Sequence, residues 1–514
     1  MVGIIISFIS GIFLSLAFPR ANLHWLAWFT LAPLMYYTYR LTWKQTLACG
    51  FAYGLGFFGA LLSWIAIFGR LPWLALVVYE SLFILAFVAM AKLIGNRSGI
   101  WARFVMLPAL WVAFEWLRSL GIFGLTWGDL GYSQFEELHL IQIASVTGVW
   151  GVSFMLALMN SALANLVMSS GDSRALRRAW LQISIACLTV LAVALFGLIS
   201  MCAPAGIAGR EMRAAVLQGN YNSDVELGGI YGERVWQAYR SMTLEAGLRG
   251  AKLIVWPEAA VTGSLGGDQY TQSRVRDLAE DADALLLVGG RDEDGQGRVY
   301  NSAFLIGPKA GILSRYAKVH LVPFGEYVLW RRQLPFLRYY RVTEYDLSPG
   351  KGYNLLRGGG LKVGTAICFE SIFPDILRRM TSSGAEVLCV ITNDSWFGRT
   401  AAAEQHMSMS VFRAVENRRY LLRAAATGVS CIINPRGRIL TRSGIFRRAN
   451  LESDIEICSI ETFYTRHGNW FVFACFALVS LFALNAITRR GIGLARRPGG
   501  YVDDNLPASE DRRQ

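Results

Sequence analysis

Charge is scarce in this chain of 514 residues: Asp, Glu, Lys and Arg make up 17%, against about a quarter in a typical soluble domain. A single water-soluble globule is thereby disfavoured. A disordered chain is excluded, since 54% of the side chains are hydrophobic. Cysteine is scarce as well. Eight in 514 residues are too few for a disulfide scaffold, and no CxxC pair or Cys/His cluster has zinc spacing. The glycines at 228–229, 266–267 and 358–360 lack the spacing of a phosphate loop and read as turns. No cofactor and no metal is therefore expected. No repeat of fixed period and no low-complexity tract is visible. The formal charge of +13 points to nucleic acid only if the excess does not have another use.

What is abundant is long apolar sequence. Runs able to cross a bilayer, which takes about 20 residues each, are read near 3–18, 22–39, 46–68, 72–92, 101–118, 142–168 and 179–201, with an eighth near 469–487. The first lacks a positive n-region and ends in Ala17-Phe18-Pro19 without a cleavage pattern, so it is expected to be a retained span. Lys and Arg orient the bundle. Arg40 and Lys44 follow span two; Lys92, Arg97 and Arg103 follow span four. Arg174, Arg177 and Arg178 follow span six, and Arg489, Arg490, Arg496 and Arg497 follow span eight. The other short loops hold little more than Arg20 and Arg70. Positive loops stay in the cytoplasm, so both termini are expected there and the long segment after span seven outside. Much of the positive excess is thus a topology signal, and nucleic acid is not an expected partner.

Residues 210–465 read differently. Short β-rich runs at 213–218, 252–256, 284–289, 301–306, 361–367, 387–392 and 429–434 alternate with helical stretches near 232–248, 273–281, 374–382 and 401–424. Nearly continuous apolar strands separated by helices predict a sheet covered on both faces, an α/β layered fold. About 250 residues suffice for a core of its own. The expected organisation is an α-helical transmembrane bundle over 1–205, an external α/β domain over 210–465 inserted between spans seven and eight, span eight at 469–487, and a cytoplasmic tail over 488–514.

Three residues of the external domain lie at the ends of apolar strands, where α/β folds place their sites. Glu258 follows LIVWP, Lys318 follows GILSRYA, and Cys368 follows LKVGTAI. Each alone has a plain structural reading: a turn glutamate, a solvated lysine, a small buried thiol. Together they are chemically complementary. TAICFES is a strand-to-turn transition with the sulfur at the turn, as in a nucleophile elbow. A thiol attacks as thiolate and needs a base or a nearby cation. Glu258 can take the proton, and Lys318 can stabilise the thiolate and then a tetrahedral oxyanion. No Ser/His/Asp arrangement competes: of five histidines, only His320 and His406 lie well inside this domain.

WPE around Glu258, YAKVHLVPFGEYV around Lys318 and ICFES around Cys368 resemble the Glu–Lys–Cys nitrilase superfamily of carbon-nitrogen hydrolases. TNDSWFG (392–398) and QHMSMSVFRAVENRRYLLRAAATGVS (405–430) agree. In the membrane half, FISGIFLSLAFPRANLHWLAWFTLAPLM (8–35), EWLRS (115–119), WGDLGYSQ (127–134) and TGVWGVSFM (147–155) resemble the apolipoprotein N-acyltransferases, a membrane-bound family of that superfamily. The resemblance covers nearly the whole chain. It implies an αββα sandwich in the periplasm, carried by a multi-pass protein of the bacterial inner membrane. It also implies the reaction: an acyl chain passes from a phospholipid, typically phosphatidylethanolamine, through a cysteine thioester to the α-amino group of the N-terminal S-diacylglyceryl-cysteine of a lipoprotein. Carried over by motif, Glu258 is the general base, Lys318 the oxyanion stabiliser and Cys368 the nucleophile. Glu326, in PFGEYV, is the second carboxylate and orients Lys318, and Glu370 supports the site. Phe369 stands where the family pattern has Tyr, and the Trp of that pattern after Gln218-Gly219-Asn220 is missing from YNSDVELGG.

The segment YVLWRRQLPFLRYYR (327–341) mixes aromatics with arginines. Trp and Tyr favour the headgroup level and Arg favours phosphate. Trp330, Phe336 and Tyr339 are therefore expected on an arm that lies on the outer leaflet and admits lipid to the thiol. Glu115, inside span five, is expected to pair with Arg118 at i+3 and anchor the domain to the bundle. Cys389 and Cys431, inside apolar strands, are expected to be inert. Two other functions compete. A membrane-tethered nitrilase-type amidase, with water as acceptor, would use the same three residues. A transporter with an accessory domain would show polar residues through the spans and repeated helix sets, and neither is evident.

Overall fold

A computed structural model describes residues 1–95, 99–202, 210–221, 229–261, 263–329, 333 and 346–495. The apolar sequence of the first 200 residues forms helices α1 (Val2–Ser15), α2 (Ala32–Arg40), α3 (Trp43–Leu61), α4 (Arg70–Gly95), α5 (Ile100–Arg118), α6 (Val149–Met168) and α7 (Ser173–Cys202). By length and composition, α4 to α7 are each able to cross a membrane. Only 11% of the apolar stretch of α7 is buried, which leaves its surface for lipid. The first and third helices touch backbone to backbone: a Cβ at Gly11 would lie 2.3 Å from the Tyr53 carbonyl oxygen, and one at Gly56 2.2 Å from that of Phe8. Small residues permit this approach.

Two expectations for the bundle change. The segment 22–39 is not one continuous helix: a 3₁₀ turn, His24–Trp28, precedes the nine-residue α2. Asn160 of α6 makes the break tolerable. Its Oδ1 accepts the Leu31 and Ala32 N–H groups, both at 2.9 Å, and its Nδ2 donates to the Ala27 carbonyl at 2.9 Å. The backbone groups freed by the break thus find partners inside apolar surroundings. Nor do Glu115 and Arg118 hydrogen-bond each other. Arg118 donates to Glu80 Oε2 at 3.1 Å, to the Trp127 carbonyl at 2.7 Å and to Asp129. Glu115 Oε1 accepts from Trp111 Nε1 and from the Leu130 N–H, each at 2.7 Å. Two other buried carboxylates meet the guanidinium, so the i,i+3 pairing is not needed.

Among the described residues, the second half contains twelve strands: β1 (Glu211–Gln218), β2 (Leu253–Val255), β3 (Leu285–Glu293), β4 (Val299–Gly307), β5 (Gly311–Ala317), β6 (Leu356–Gly358), β7 (Leu361–Ile367), β8 (Val387–Thr392), β9 (Leu421–Ala425), β10 (Cys431–Ile433), β11 (Ile439–Arg442) and β12 (Ala449–Glu456). They form two six-stranded sheets, in the orders β12-β1-β2-β3-β4-β5 and β11-β10-β9-β8-β7-β6. The central trios β1–β2–β3 and β7–β8–β9 are parallel. Their strands are buried on both faces, which is why they read as nearly continuous apolar runs. Alternate residues divide the faces. Ala214, Val216, Leu253 and Val255 join the core between the sheets, and Ala215, Leu217, Ile254 and Trp256 the outer one. That outer core is closed by α8 (Gly229–Leu248) and α9 (Gln269–Asp281). Helices α10 (Pro374–Ser382) and α11 (Ala402–Asn417) pack against the second sheet and complete four αββα layers.

The helix expected over 401–424 stops at Asn417. Arg418 then adopts φ +51°, a left-handed cap that ends the helix, and 421–425 becomes the buried strand β9. Helix α11 lies between the second sheet and the bundle. Trp127 Nε1 donates to Gln405 Oε1 at 2.7 Å, and Gln405 Nε2 donates to the Pro19 carbonyl at 2.7 Å. Thr126 Oγ1 and Arg413 Nη1 both donate to the Ile372 carbonyl, at 2.9 and 3.1 Å. The chain returns to the bundle through α12 (Trp470–Ala495), which packs on α5.

Candidate active site

The site is assembled where strands of the two sheets end. Glu258 follows β2 in the turn Trp256-Pro257-Glu258, Lys318 follows β5, and Cys368 follows β7. Cys368 opens the 3₁₀ turn Cys368–Ile372 with φ +51°. That conformation is disfavoured for a residue with a Cβ, by about 1–3 kcal/mol, and persists because its surroundings hold it. The charged partners of the half-buried Cys368 thiol are Glu258, Lys318 and Asp394. All three residues expected from the sequence therefore meet.

Their carboxylate and ammonium groups are tightly fixed. Lys318 is 1% exposed and Glu258 6%, too little for water to satisfy either. Lys318 Nζ lies 2.9 Å from Glu326 Oε1 and 3.8 Å from Glu258 Oε1. Glu326 Oε2 accepts the Val322 N–H at 2.8 Å, and Glu258 Oε2 accepts the Asn393 N–H at 2.7 Å. Asn301 joins the two carboxylates. Its Nδ2 donates to Glu258 Oε1 at 2.6 Å and to Glu326 Oε1 at 3.0 Å, while its carbonyl accepts the Lys318 N–H at 2.8 Å. Nothing in the sequence singled out this asparagine.

Glu370 is a clamp. Its Oε1 accepts from the Tyr316 hydroxyl at 2.8 Å, the Val319 N–H at 2.8 Å and the His320 N–H at 3.1 Å; its Oε2 accepts the Ile367 N–H at 2.9 Å. One carboxylate thus ties the turn after Lys318 to the turn that carries Cys368. Phe369 packs edge-on against Phe373, with centroids 5.2 Å apart. Trp330, Phe336 and Tyr339 lie outside the described residues. Cys389 and Cys431 are fully buried in their strands.

The electrostatics suit proton transfer coupled to attack. Burial pushes the Glu258 carboxyl above its ordinary value, against the pull of Lys318, and a raised carboxyl is a stronger base. Burial would lower Lys318, but Glu326, Cys368 and Glu258 outweigh it and hold the ammonium charged. Burial and then Glu258 push the Cys368 thiol up, while Lys318 and a hydrogen bond from Thr392 pull it down. With two carboxylates and one ammonium already present, a free thiolate would make the cluster more negative still. The thiol therefore keeps its proton until a base removes it during attack. Among the described residues no group of His, Cys, Asp and Glu could hold a metal ion.

A family model for the apolipoprotein N-acyltransferase N-terminal domain matches residues 10–162, and one for carbon-nitrogen hydrolase matches residues 213–459. An apolipoprotein N-acyltransferase of Geobacter metallireducens is 35% identical over 94% of this chain and 95% of its own length. One of Methylococcus capsulatus is 32% identical over 91% and 93%, and one of Chlorobaculum tepidum 27% over 94% and 96%. Among solved structures, an amidase from Nesterenkonia sp. AN1 aligns with 49% of this chain and 94% of its own, at 20% identity and a TM-score of 0.38. Both halves of the chain, and its length, match one set of relatives: the chain belongs to the apolipoprotein N-acyltransferase family.

Proposed function

We propose that this protein N-acylates lipoproteins, taking an acyl chain from a membrane phospholipid and passing it through Cys368 to the α-amino group of an N-terminal S-diacylglyceryl-cysteine. The observation that carries the residue assignment is the Asn301-bridged pair Glu258–Glu326, with Lys318 between them and Cys368 on its left-handed turn.

The steps follow from the groups present. Glu258 removes the thiol proton as the sulfur attacks the ester carbonyl of the donor, and the Lys318 ammonium neutralises the oxyanion that forms. Glu258, now protonated, gives its proton to the departing alkoxide, and a lysophospholipid leaves behind a thioester. The amine of the acceptor then attacks. Glu258 takes the amine proton, the second oxyanion forms at Lys318, and collapse expels the thiolate, which regains a proton from Glu258. Glu326 accepts from Asn301 and pairs with Lys318, so its task is to aim the ammonium. A site with little access to water favours aminolysis over hydrolysis of the thioester.

The Arg and Lys distribution supports a periplasmic catalytic domain between spans seven and eight of an eight-span bundle, in a bacterial inner membrane with both termini in the cytoplasm. Phosphatidylethanolamine is the donor proposed, and the 327–341 segment the arm that admits it. A thiol-reactive reporter near Asp268 reachable only from the cytoplasm would overturn this topology. The activity test uses purified protein with labelled phospholipid and a synthetic diacylated lipopeptide. Transfer of label to the peptide amine is expected, whereas release of free fatty acid with no peptide product would favour the amidase reading. Replacing Trp330 and Phe336 with Ser should slow acylation from bilayer phospholipid more than from a short soluble ester; equal loss on both would reduce the arm to packing.

A further inference from the structure

A second polar cluster lies behind Cys368 and takes no part in the steps above. Ser371 Oγ donates to the Cys368 carbonyl at 2.8 Å and lies 2.8 Å from His406 Nε2. His406 Nδ1 lies 3.0 Å from Asp394 Oδ1 and 2.9 Å from Arg423 Nη2. Arg423 Nη2 also donates to Asp394 Oδ2 at 2.9 Å, and Thr392 Oγ1 donates to Asp394 Oδ1 at 2.8 Å. Ser371, Asp394, His406 and Arg423 are each at most 1% exposed. Ser, His and Asp thus do come together in space, although their spacing along the chain hides it. No substrate can reach a serine so enclosed, so the array is not a second nucleophile.

The hydrogens of this cluster can be counted. A carbonyl oxygen only accepts, so the single proton of Ser371 goes to Cys368. The Ser371 oxygen can then only accept from His406, and Nε2 must carry a hydrogen. Nδ1 has two neighbours. A protonated His406 gives its Nδ1 hydrogen to Asp394; a neutral one accepts there from Arg423, and Thr392 still serves Asp394 Oδ1. Nε2 keeps its hydrogen in both cases, so the direction of the Ser371 hydroxyl does not depend on the charge of His406. Rings hold the imidazole as well. Trp127 of the bundle stands 5.6 Å from it and Phe397 6.0 Å, centroid to centroid.

At the far end of this chain of bonds is the peptide that carries the nucleophile. A peptide unit is planar, so a hydroxyl fixed on the Cys368 carbonyl sets the plane that joins Cys368 to Phe369. Glu370 Oε2 fixes the preceding residue through the Ile367 N–H at 2.9 Å. Cys368, at φ +51°, is thus gripped on both sides. Glu370 holds it from the catalytic cluster, and Ser371 holds it from His406 on the bundle-facing helix α11.

Resting on the reading of Cys368 as nucleophile, we propose that Ser371 and His406 are positioning residues for the reaction. The His406 Nε2–H orients the Ser371 hydroxyl, and that hydroxyl holds the Cys368–Phe369 peptide so that the left-handed turn aims the sulfur at the Glu258–Lys318 pair. Asp394 and Arg423 fix the imidazole. The sulfur must be aligned at attack on the donor and again at its expulsion from the second tetrahedral intermediate. Both half-reactions therefore depend on this chain of bonds. Donor binding does not, because the chain is closed to solvent and grips only the back of the turn.

The test uses the full-length protein in lipid nanodiscs. Single-turnover thioester formation from phospholipid is followed against donor concentration and across pH. In Ser371→Ala the rate at saturating donor should fall by about tenfold or more. Half-saturation should be unchanged, and the acid limb, which reports Glu258, should stay in place. His406→Leu should behave alike. His406→Gln keeps an N–H where Nε2 stood and should recover the rate to within about threefold of the unaltered protein. Ser371→Ala combined with His406→Leu should lose no more than about threefold beyond the slower single variant, because one chain of bonds is already broken. Separate packing roles would instead multiply their losses. A rate within about threefold of the unaltered protein in Ser371→Ala, a shifted acid limb, or a change in half-saturation as large as that in rate would overturn the proposal. So would equal losses in His406→Gln and His406→Leu, or losses that multiply in the double variant. Should Ser371→Ala not fold, His406→Gln against His406→Leu carries the same readouts. Absence of a thioester in the unaltered protein would overturn the reading of Cys368 as nucleophile, and the proposal with it.

Discussion

Asn301 Nδ2 donates to Glu258 Oε1 at 2.6 Å and to Glu326 Oε1 at 3.0 Å, so one amide nitrogen spans the two carboxylates that flank Lys318. Without that donor, two closely spaced negative groups, one buried and one half-buried, would share a single ammonium. The position of Asn301 explains how it reaches both: it lies in β4, antiparallel to β5, and its carbonyl holds the Lys318 N–H.

Removing this bridge should harm chemistry more than folding. Asn301→Ala leaves Glu258 and Glu326 each short of one hydrogen bond, and a bond to a charged group contributes about 1.5–3 kcal/mol. Thioester formation is expected to fall by about one to two orders of magnitude. Single-turnover acylation checks this; a rate within threefold of the unaltered protein would mean that Lys318 aligns both carboxylates alone.

The acid side of the pH–rate profile should report Glu258. It must be ionised to take the thiol proton, and burial holds its carboxyl above the ordinary value. Activity should therefore fail, as pH drops, earlier than an ordinary glutamate would allow. The negative charge of Glu326 contributes to that elevation. In Glu326→Gln this repulsion is gone, Glu258 ionises more easily, and the acid limb should move to lower pH while the maximal rate falls. A limb that stays in place would assign it to another group.

How much of this was legible in the sequence depended on whether the signal was local. Glu258 and Cys368 could be found because each ends a strand buried on both faces, visible as an apolar run. Lys318 ends the half-buried edge strand β5 and was found from the strand-like GILSRYA before it. The edge strands β6, β11 and β12 carry half-buried, polar sequence and gave no such run. Strand β9 was hidden by Arg423, whose charge inside an apolar strand is tolerated through Asp394, far from it in sequence. Asn301 is one amide in the middle of VYNSAFLIG, and only the folded sheet brings it to two carboxylates. Ser371, Asp394 and His406 stayed hidden for the same reason.

The bundle has its own test. Arg118 is 3% exposed and neutralises Glu80 and Asp129 beneath the loop that supports α11. Arg118→Leu would leave both carboxylates buried without a cation, a change that typically costs about 3–5 kcal/mol. A clear drop in the thermal unfolding midpoint in detergent is expected, and Glu80→Gln with Asp129→Asn in the same protein should recover part of it. An unchanged midpoint in Arg118→Leu would show that the three charges are not coupled.

The reaction should also stop halfway when no acceptor is present. Attack by Cys368 on the donor ester expels a lysophospholipid and leaves the acyl chain on sulfur. Completing the cycle then requires an amine, because Glu258 needs a nucleophile whose proton it can remove and water has poor access. Protein incubated with phospholipid alone should gain the mass of one acyl chain on the peptide that contains Cys368. Neutral hydroxylamine should remove the adduct, and diacylated lipopeptide should chase it into product at the rate of turnover. Cys368→Ala, Glu258→Gln and Lys318→Met should each lower turnover by several orders of magnitude, and pairs of them little further, because the three act in one step. If rapid mixing finds no adduct while turnover proceeds, and initial rates require both substrates bound together, the acyl chain passes directly between substrates. Cys368 would then lose its assignment as nucleophile, and Glu258 would have the acceptor amine as its only proton donor.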